Sequence, residues 1–82
     1  MIRVLFFASL REQLGIGEFQ LAYSEGVNVE KVKAQLEQEC PGWSAAASDI
    51  KLLVAINQEM AGDQHTVDDG DEVAFFPPVT GG

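Results

Sequence analysis

Two consecutive prolines near the end of the sequence constrain the fold more than any other feature. Pro77 and Pro78 follow the aromatic pair Phe75-Phe76. Proline has a fixed φ and no amide hydrogen, so a strand through Phe75 and Phe76 cannot continue pairing beyond them. The chain must therefore leave its sheet at Pro77, and the six residues from Pro77 to the end extend at most about 20 Å.

The last residues of the sequence are Val79, Thr80, Gly81 and Gly82. Because the two glycines lack a Cβ, a narrow channel of another protein can close around their backbone. We therefore expect an aimed, flexible tail, residues 77–82, whose terminal carboxylate is its one chemically useful group. The alternative interpretation is an ordinary frayed chain end, where small residues commonly accumulate.

The remaining residues, 1–76, have the length and composition of one small globular domain. The chain has 82 residues, 46% hydrophobic and 22% charged, which suffices for a single core. It contains no apolar run of about 18 residues and no export signal, so we expect a cytoplasmic protein that does not enter a membrane. Cys40 is the single cysteine and has no Cys or His partners at metal-ligand spacing, so no metal site is predicted.

The net charge of −8 is unevenly distributed along the chain. All five basic residues lie in the first 51 positions, whereas acidic residues continue to Glu72. We therefore expect the tail to leave from an acidic half of the molecule without cations, which repels nucleic acid and attracts a basic partner. The alternative is that the acidity serves only to keep the domain dissolved.

The first strands and a short helix are predicted near the amino terminus. Residues 2–7 are β-branched and aromatic, as in a buried strand, and residues 18–23 alternate with Tyr23 on the apolar face. Together they predict a hairpin with a wide connection. Ser9 and Glu12 fit a capping box for a short helix within that connection.

One amphipathic helix dominates the predicted fold. Asn28 is a good N-cap, and the apolar stripe ends at Cys40 before Pro41-Gly42. Residues 43–48 predict a helical turn or ordered loop. The stripe consists of Val29, Val32, Leu36 and Cys40.

The second half of the chain predicts three further strands. Residues 51–57 are an apolar run, and residues 72–76 follow a strong turn signal at residues 68–71. Between them, Met60-Ala61 is predicted to pair briefly with Thr66-Val67. The whole is predicted to be an α+β domain, with a mixed sheet packed on one main α-helix.

The residues predict no self-contained active site. The chain lacks a phosphate-binding Gly-x-x-x-x-Gly-Lys loop, a His-Glu-x-x-His motif, a Gly-x-Ser-x-Gly motif and a Cys-His pair. If this chain takes part in chemistry, it does so as the substrate or carrier, and another protein supplies the catalytic groups.

Four segments together carry a resemblance to a known family. They are residues 4–8, Arg11-Glu12, residues 55–58 and, most specifically, residues 69–82. The sequence resembles the small subunits of molybdopterin synthase, which are ubiquitin-like β-grasp sulfur carriers. This resemblance covers nearly the whole chain and departs from the family chiefly in residues 41–49 and near Gly62.

The resemblance implies a chemistry for the tail. A ubiquitin-activating-like adenylyltransferase would use ATP to convert the Gly82 carboxylate into an acyl-adenylate, which a sulfur nucleophile from a sulfur donor would convert into a thiocarboxylate. The tail would then enter the large subunit of the synthase and give its sulfur to cyclic pyranopterin monophosphate. The chain itself would bind no cofactor and would be the non-catalytic, sulfur-carrying subunit of a heterotetramer of two small and two large subunits.

The resemblance also implies which residues contact those partners. Phe7, Met60 and Phe76 match the family's hydrophobic docking patch. Arg11 is a candidate to pair with an acidic group of a partner, and the alternative is an ordinary solvated helix residue. Strand alternation predicts that one residue of Phe6-Phe7 and one residue of Phe75-Phe76 face away from the helix. Core packing is the alternative for Phe7 and Phe76. The tail contacts would come from Pro77, Pro78, Val79, Thr80 and Gly81.

Two other functions remain open on the sequence. A ubiquitin-like modifier would join the same Gly82 to a lysine amine, and a sulfur carrier for thiamin or another cofactor would differ only in its recipient. The length of the chain and its Phe-Phe-Pro-Pro-Val-Thr-Gly-Gly ending favour molybdopterin.

Overall fold

Five strands and three helices make up the part of the chain that the computed structural model describes, residues 1–48 and 51–78. In chain order they are β1 (Ile2–Phe6), α1 (Ala8–Leu14), β2 (Glu18–Leu21), α2 (Val29–Glu39), α3 (Trp43–Ser48), β3 (Leu53–Ile56), β4 (Glu59–Ala61) and β5 (Glu72–Phe76). The predicted succession of elements along the chain, two strands, the main helix and then three strands, is confirmed. The helical turn predicted for residues 43–48 is the helix α3.

The strands form one mixed sheet in the order β2-β1-β5-β3-β4. The central pair β1 and β5 is parallel, with Val4 opposite Val73, and every other pair is antiparallel. The last strand of the chain therefore lies at the centre of the sheet, hydrogen-bonded on both sides. A parallel pair needs a long crossover, and most of the chain forms the connection between β1 and β5.

The core lies between one face of the sheet and the helices. Alternate residues of β1, namely Ile2, Val4 and Phe6, are buried there, as are Val29, Val32 and Leu36 of α2. Trp43 of α3 completes the core because its ring lies 5.9 Å from that of Phe6 and 5.1 Å from that of Phe75 between centroids. Each large side chain removed from water in this way contributes about 1.5–3 kcal/mol.

The amino end of α2 is held by the loop that precedes β5. The amides of Val29 and Glu30 donate to the carbonyls of His65 (3.1 Å) and Asp63 (3.0 Å). The Asn28 side chain accepts from the Lys31 amide at 2.9 Å, as predicted for an N-cap. These bonds satisfy amides that have no partner within the helix.

The predicted pairing of Met60-Ala61 with Thr66-Val67 is wrong. Strand β4 pairs with β3 instead, and Thr66 forms an isolated bridge with Asn28. After β4 the chain leaves the sheet to cap α2, so residues 66–67 lie beside the start of the helix rather than beside β4. The unsatisfied amides of the helix end determine this path.

Two local predictions near the amino terminus are also wrong. Helix α1 begins at Ala8 with Phe7 at the N-cap and no side-chain cap, so Ser9 lies within the first turn rather than before it. Strand β2 ends at Leu21, opposite Ile2, and Tyr23 is exposed. Because β1 begins at Ile2, it offers no partner for residues beyond Leu21.

Candidate functional site

The centre of the sheet fixes the point at which the tail begins. Strand β5 ends at Phe76, as predicted, and is followed by half-buried Pro77 and exposed Pro78. The Phe7 amide donates to the Phe75 carbonyl at 3.2 Å on one side, and Leu53 pairs with Phe76 on the other. The predictions for Val79, Thr80, Gly81 and Gly82 lie outside the described residues.

The two Phe pairs divide between the faces of the sheet as alternation predicts. Phe6 and Phe75 are buried in the core, at 1% and 0% exposure, whereas Phe7 is 45% exposed and Phe76 is half-buried. The exposed pair lies side by side because Phe6 is in register with Phe75. Both rings therefore flank the start of the tail on the side of the sheet remote from α2.

That side of the sheet, here called the outer face, is largely apolar near the tail. Met60 of β4 is 63% exposed, and its register places it in one row with Ala55, Ala74 and Leu5. Strand β4 lies two strand spacings, about 10 Å, from β5. The apolar side chains of the outer face are Leu5, Phe7, Leu53, Ala55, Met60, Ala74 and Phe76.

Four of these residues were not predicted as site residues: Leu5, Leu53, Ala55 and Ala74. None of the four belongs to the core cluster, although the two alanines are only 9% and 8% exposed. The strand period of two identifies each as facing away from α2. The strand order needed to bring them into one row could not be read from the sequence.

Arg11 lies in α1, the helix that follows Phe7 directly, and is exposed. The Arg11 side chain packs closely over Gly17. A Cβ at residue 17 would lie only 3.1 Å from the Arg11 Nε. Within residues 1–48 and 51–78, Arg11 forms no ion pair. A charged group is therefore presented to solvent in the helix that begins directly after Phe7.

The expectation that the tail leaves from an acidic, cation-free region is wrong. The acidic turn at residues 68–71 precedes β5 and lies at the opposite end of that strand from the tail. Arg3 lies there too, 3.2 Å from Glu18 and 3.8 Å from Glu72, and the amino-terminal amine contacts the Asp69 carboxylate. The mixed sheet folds amino-terminal cations onto carboxyl-terminal acids, which charge order along the sequence does not reveal.

Other candidate groups lie away from the outer face. Burial raises the pKa of the Cys40 thiol, which is 3% exposed, as expected of a residue that only fills the core.

A groove of about 530 Å³ lies between α2 and α3, lined in part by Lys33, Trp43 and Lys51. No three His, Cys, Asp or Glu residues cluster as metal ligands in the described chain. Among the same residues, no helix is long and apolar enough to cross a bilayer.

Comparisons with known proteins match the chain along its whole length. Residues 4–82 match the model of the ThiS family. The molybdopterin synthase sulfur carrier subunits of Escherichia coli and Haemophilus influenzae are 45% and 46% identical over 82 residues, with both chains fully covered. The human protein of the same name is 30% identical, over 99% of this chain and 93% of its own.

Solved structures share the fold. SAMP1 from Haloferax volcanii superposes with a TM-score of 0.83 at 25% identity, over 99% of this chain and 98% of its own. A chain in a complex of subunits 1 and 2 of the molybdopterin-converting factor from Helicobacter pylori gives a TM-score of 0.69 at 22% identity, over 99% of this chain and 97% of its own. The predicted ubiquitin-like β-grasp fold is confirmed.

Proposed function

The chain belongs to the ThiS family, and we propose that it is the sulfur carrier subunit of a molybdopterin synthase. The observation that carries this proposal is the 45% identity over the full length of a sulfur carrier subunit. The family match also extends to Gly82, the residue proposed to carry the sulfur. No catalytic group of this chain is required, because the proposed reactions occur on its terminal carboxylate.

The carboxylate must be activated before it can accept sulfur, since a carboxylate is a poor electrophile. An adenylyltransferase joins a Gly82 carboxylate oxygen to the α-phosphate of ATP, and pyrophosphate leaves. A sulfur nucleophile then attacks the carbonyl carbon, and AMP leaves with the former carboxylate oxygen. Hydrosulfide as the nucleophile gives the Gly82 thiocarboxylate directly, with loss of a proton. A persulfide on the donor gives an acyl disulfide instead, and a thiol must then reduce its S–S bond to release the thiocarboxylate.

The tail, now carrying sulfur as a thiocarboxylate, then enters the active site of the large subunit. Its sulfur forms a bond to a carbon of cyclic pyranopterin monophosphate. Water then hydrolyses the resulting thioester, which leaves the sulfur on the substrate and regenerates the Gly82 carboxylate. Basic residues of the large subunit suit both the phosphate of that substrate and the charge of the tail. We place these steps in the cytoplasm and the synthase in a heterotetramer of two small and two large subunits.

The outer face offers the affinity that tail insertion requires. Ordering the four residues 79–82 costs about 1–2 kcal/mol each, so several kcal/mol oppose insertion. Burying an exposed apolar side chain contributes about 1.5–3 kcal/mol. Phe7 and Phe76 flank the start of the tail, and Met60 lies on the same face two strand spacings from β5, so together they supply several such contacts. Arg11 is exposed in the helix that follows Phe7.

Deletion of Gly82 tests the proposal. We expect the shortened chain to unfold at the same urea concentration as the full chain, because β5 already ends at Phe76, but to accept and transfer no sulfur. The full chain, incubated with its activating enzyme, ATP and a sulfur donor, should gain the mass of one sulfur less one oxygen at its C-terminus. Sulfur transfer by the shortened chain would refute the proposal.

A ubiquitin-like modifier is the second candidate function. A protein described as small archaeal modifier protein 1, from Methanosarcina acetivorans, shares the fold with a TM-score of 0.76 at 26% identity. A modifier would form an isopeptide bond between Gly82 and a lysine of another protein. Conjugates that disappear from cell extracts on Gly82 deletion would support this candidate, and a thiocarboxylate without conjugates would exclude it.

A further inference from the structure

Strand β4 is a short edge of the sheet with one side paired. It consists of Glu59–Ala61 and pairs with β3 only. Along an antiparallel pair, residues whose backbone groups bond to the partner strand alternate with residues whose groups point away. The register therefore determines which residue of β4 presents its amide and carbonyl to the free side.

That residue is Met60. A two-residue turn joins Ile56 to Glu59, and both of its residues have positive φ, as in a type I′ hairpin whose closing pair is hydrogen-bonded. Alternation then makes Ala55 and Met60 a pair without bonds to each other. The other side of β3 agrees, since the amide of Asn57, two residues after Ala55, donates to Glu72 of β5 at 2.8 Å.

Met60 thus offers a partner both its backbone and its side chain. Its amide and carbonyl point outward along the sheet, with no bond to another residue among those the structure describes. Its side chain lies on the outer face and is the most exposed of the large apolar side chains there. An extended segment beside β4 therefore contacts the Met60 side chain and completes its two backbone bonds together.

We propose that an extended segment of the large synthase subunit pairs with β4 through the amide and carbonyl of Met60, adding a sixth strand to this sheet. The inference rests on the function proposed above and specifies how the two subunits meet. An added strand gains affinity from its main-chain bonds and orientation from its register. It would also fix the orientation of the whole sheet on the large subunit, and with it the direction of β5 and of the tail that follows.

Charge favours a segment of another protein over a second copy of this chain. Two copies would each bring a net charge of −8, and pairing β4 with itself would bring together two edges that each carry Glu59 and nearby Asp63. Asp63 is already bonded to Lys33 at 2.8 Å, whereas Glu59 is exposed and forms no ion pair among residues 1–48 and 51–78. The segment that fits is apolar opposite the Met60 side chain, with a basic residue near Glu59.

Amide hydrogen exchange of the intact chain, followed by NMR with and without the large subunit, tests this inference. We expect the Met60 amide to exchange at least about tenfold more slowly in the complex, because it gains an acceptor there. The Ala61 amide, which points toward Val54 of β3, is the internal control and should be protected in both states.

Two variants separate the backbone contact from the side-chain contact. Met60→Pro removes the amide hydrogen at a position where the sheet does not use it, and Met60→Ala removes a similar part of the side chain while keeping that hydrogen. We expect Met60→Pro to bind the large subunit about three- to tenfold more weakly than Met60→Ala. The exchange measurement on the unmodified chain decides the matter even if the proline variant fails to fold.

The outcomes distinguish this inference from the proposed function. If the complex forms and sulfur is transferred while the Met60 amide exchanges as before, the inference is overturned and the function stands. If protection appears in the free chain and increases with its concentration, a second copy occupies the edge and the inference is overturned. If the chain does not bind the large subunit at all, both proposals are refuted.

Discussion

Asn57 bonds to both backbone groups of Glu72. Its amide donates to the Glu72 carbonyl at 2.8 Å, and its side-chain Oδ1 accepts from the Glu72 amide at 3.0 Å. The Asn57 side chain also donates to Asp71 Oδ1 at 2.9 Å. The turn between β3 and β4 is thereby joined to the first residue of β5, the strand that leads to the tail.

Replacing Asn57 should therefore destabilise the fold. Asn57→Gly removes the side-chain bonds but tolerates the φ of 50°, and we expect a loss of about 1–2 kcal/mol in the free energy of unfolding. Asn57→Ala adds strain at that φ and should lose roughly 0.5–1 kcal/mol more. Urea unfolding measures both. Equal stability of both variants and the unchanged chain would show that these bonds contribute nothing.

Gln58 offers a stabilising substitution. Its φ is 71°, in a turn position where glycine is strongly preferred. We expect Gln58→Gly to raise the free energy of unfolding by up to about 1 kcal/mol, because relief of strain exceeds the added freedom of the unfolded chain. Gln58→Ala keeps the strain and serves as the control. Calorimetric unfolding midpoints in the order Ala above Gly would contradict this expectation.

Phe6 and Phe7 form a matched pair that separates folding from binding. Phe6→Ala opens a cavity beside Trp43 and should cost about 3–5 kcal/mol of stability. Phe7→Ala should cost less than about 1 kcal/mol, because the ring is 45% exposed, yet weaken binding to the large subunit at least about tenfold. Urea unfolding and calorimetric titration measure the two effects. Unchanged binding by Phe7→Ala would remove this ring from the docking surface.

The buried thiol of Cys40 should make stability depend on alkaline pH. Burial raises its pKa in the folded state, so the folded chain retains a proton that the unfolded chain releases above about pH 8.5. The contribution of the thiol to the free energy of unfolding is fully present below the pKa that Cys40 has in the unfolded chain. It is lost as the pH rises through the pKa of Cys40 in the folded chain, by at most about 1.4 kcal/mol per pH unit.

Cys40→Ala is the control for that pH dependence. The variant should be less stable at neutral pH because it leaves a cavity, but its stability should fall less steeply between about pH 8.5 and 10. Urea unfolding at several pH values gives the two slopes. Identical slopes would show that the thiol does not titrate differently in the two states.

The sequence was most informative where local physical chemistry determines structure. The prolines set the end of β5, and Asn28 marked the start of α2. Strand alternation placed Phe7 and Phe76 on the face of the sheet away from their buried neighbours Phe6 and Phe75. Where distant segments compete for partners, local patterns failed. Residues 66–67 lie near β4 in sequence, but they pair with Val27 and Asn28 at the start of α2 instead of with the free edge of β4.

The same distinction applies to the outer face. Phe7, Met60 and Phe76 were identified through a family resemblance, and their exposure agrees with a docking role that remains a prediction. The strand period places Ala55 and Ala74 on the outer face, but nothing in the sequence marks them as site residues, because small apolar side chains are equally common in a core. Their place in one row with Met60 depends on a strand order that brings the last strand between the first and third.

That strand order also affects synthesis of the protein. Because β5 is made last but lies at the centre of the sheet, a nascent chain cannot join β1 to β3 until almost the entire sequence has left the ribosome. Contacts so distant along the chain slow folding and leave sheet edges open in the meantime. A finished domain is thus a precondition for presenting the terminal glycines, and prematurely terminated chains lack both the central strand and the residue to be charged.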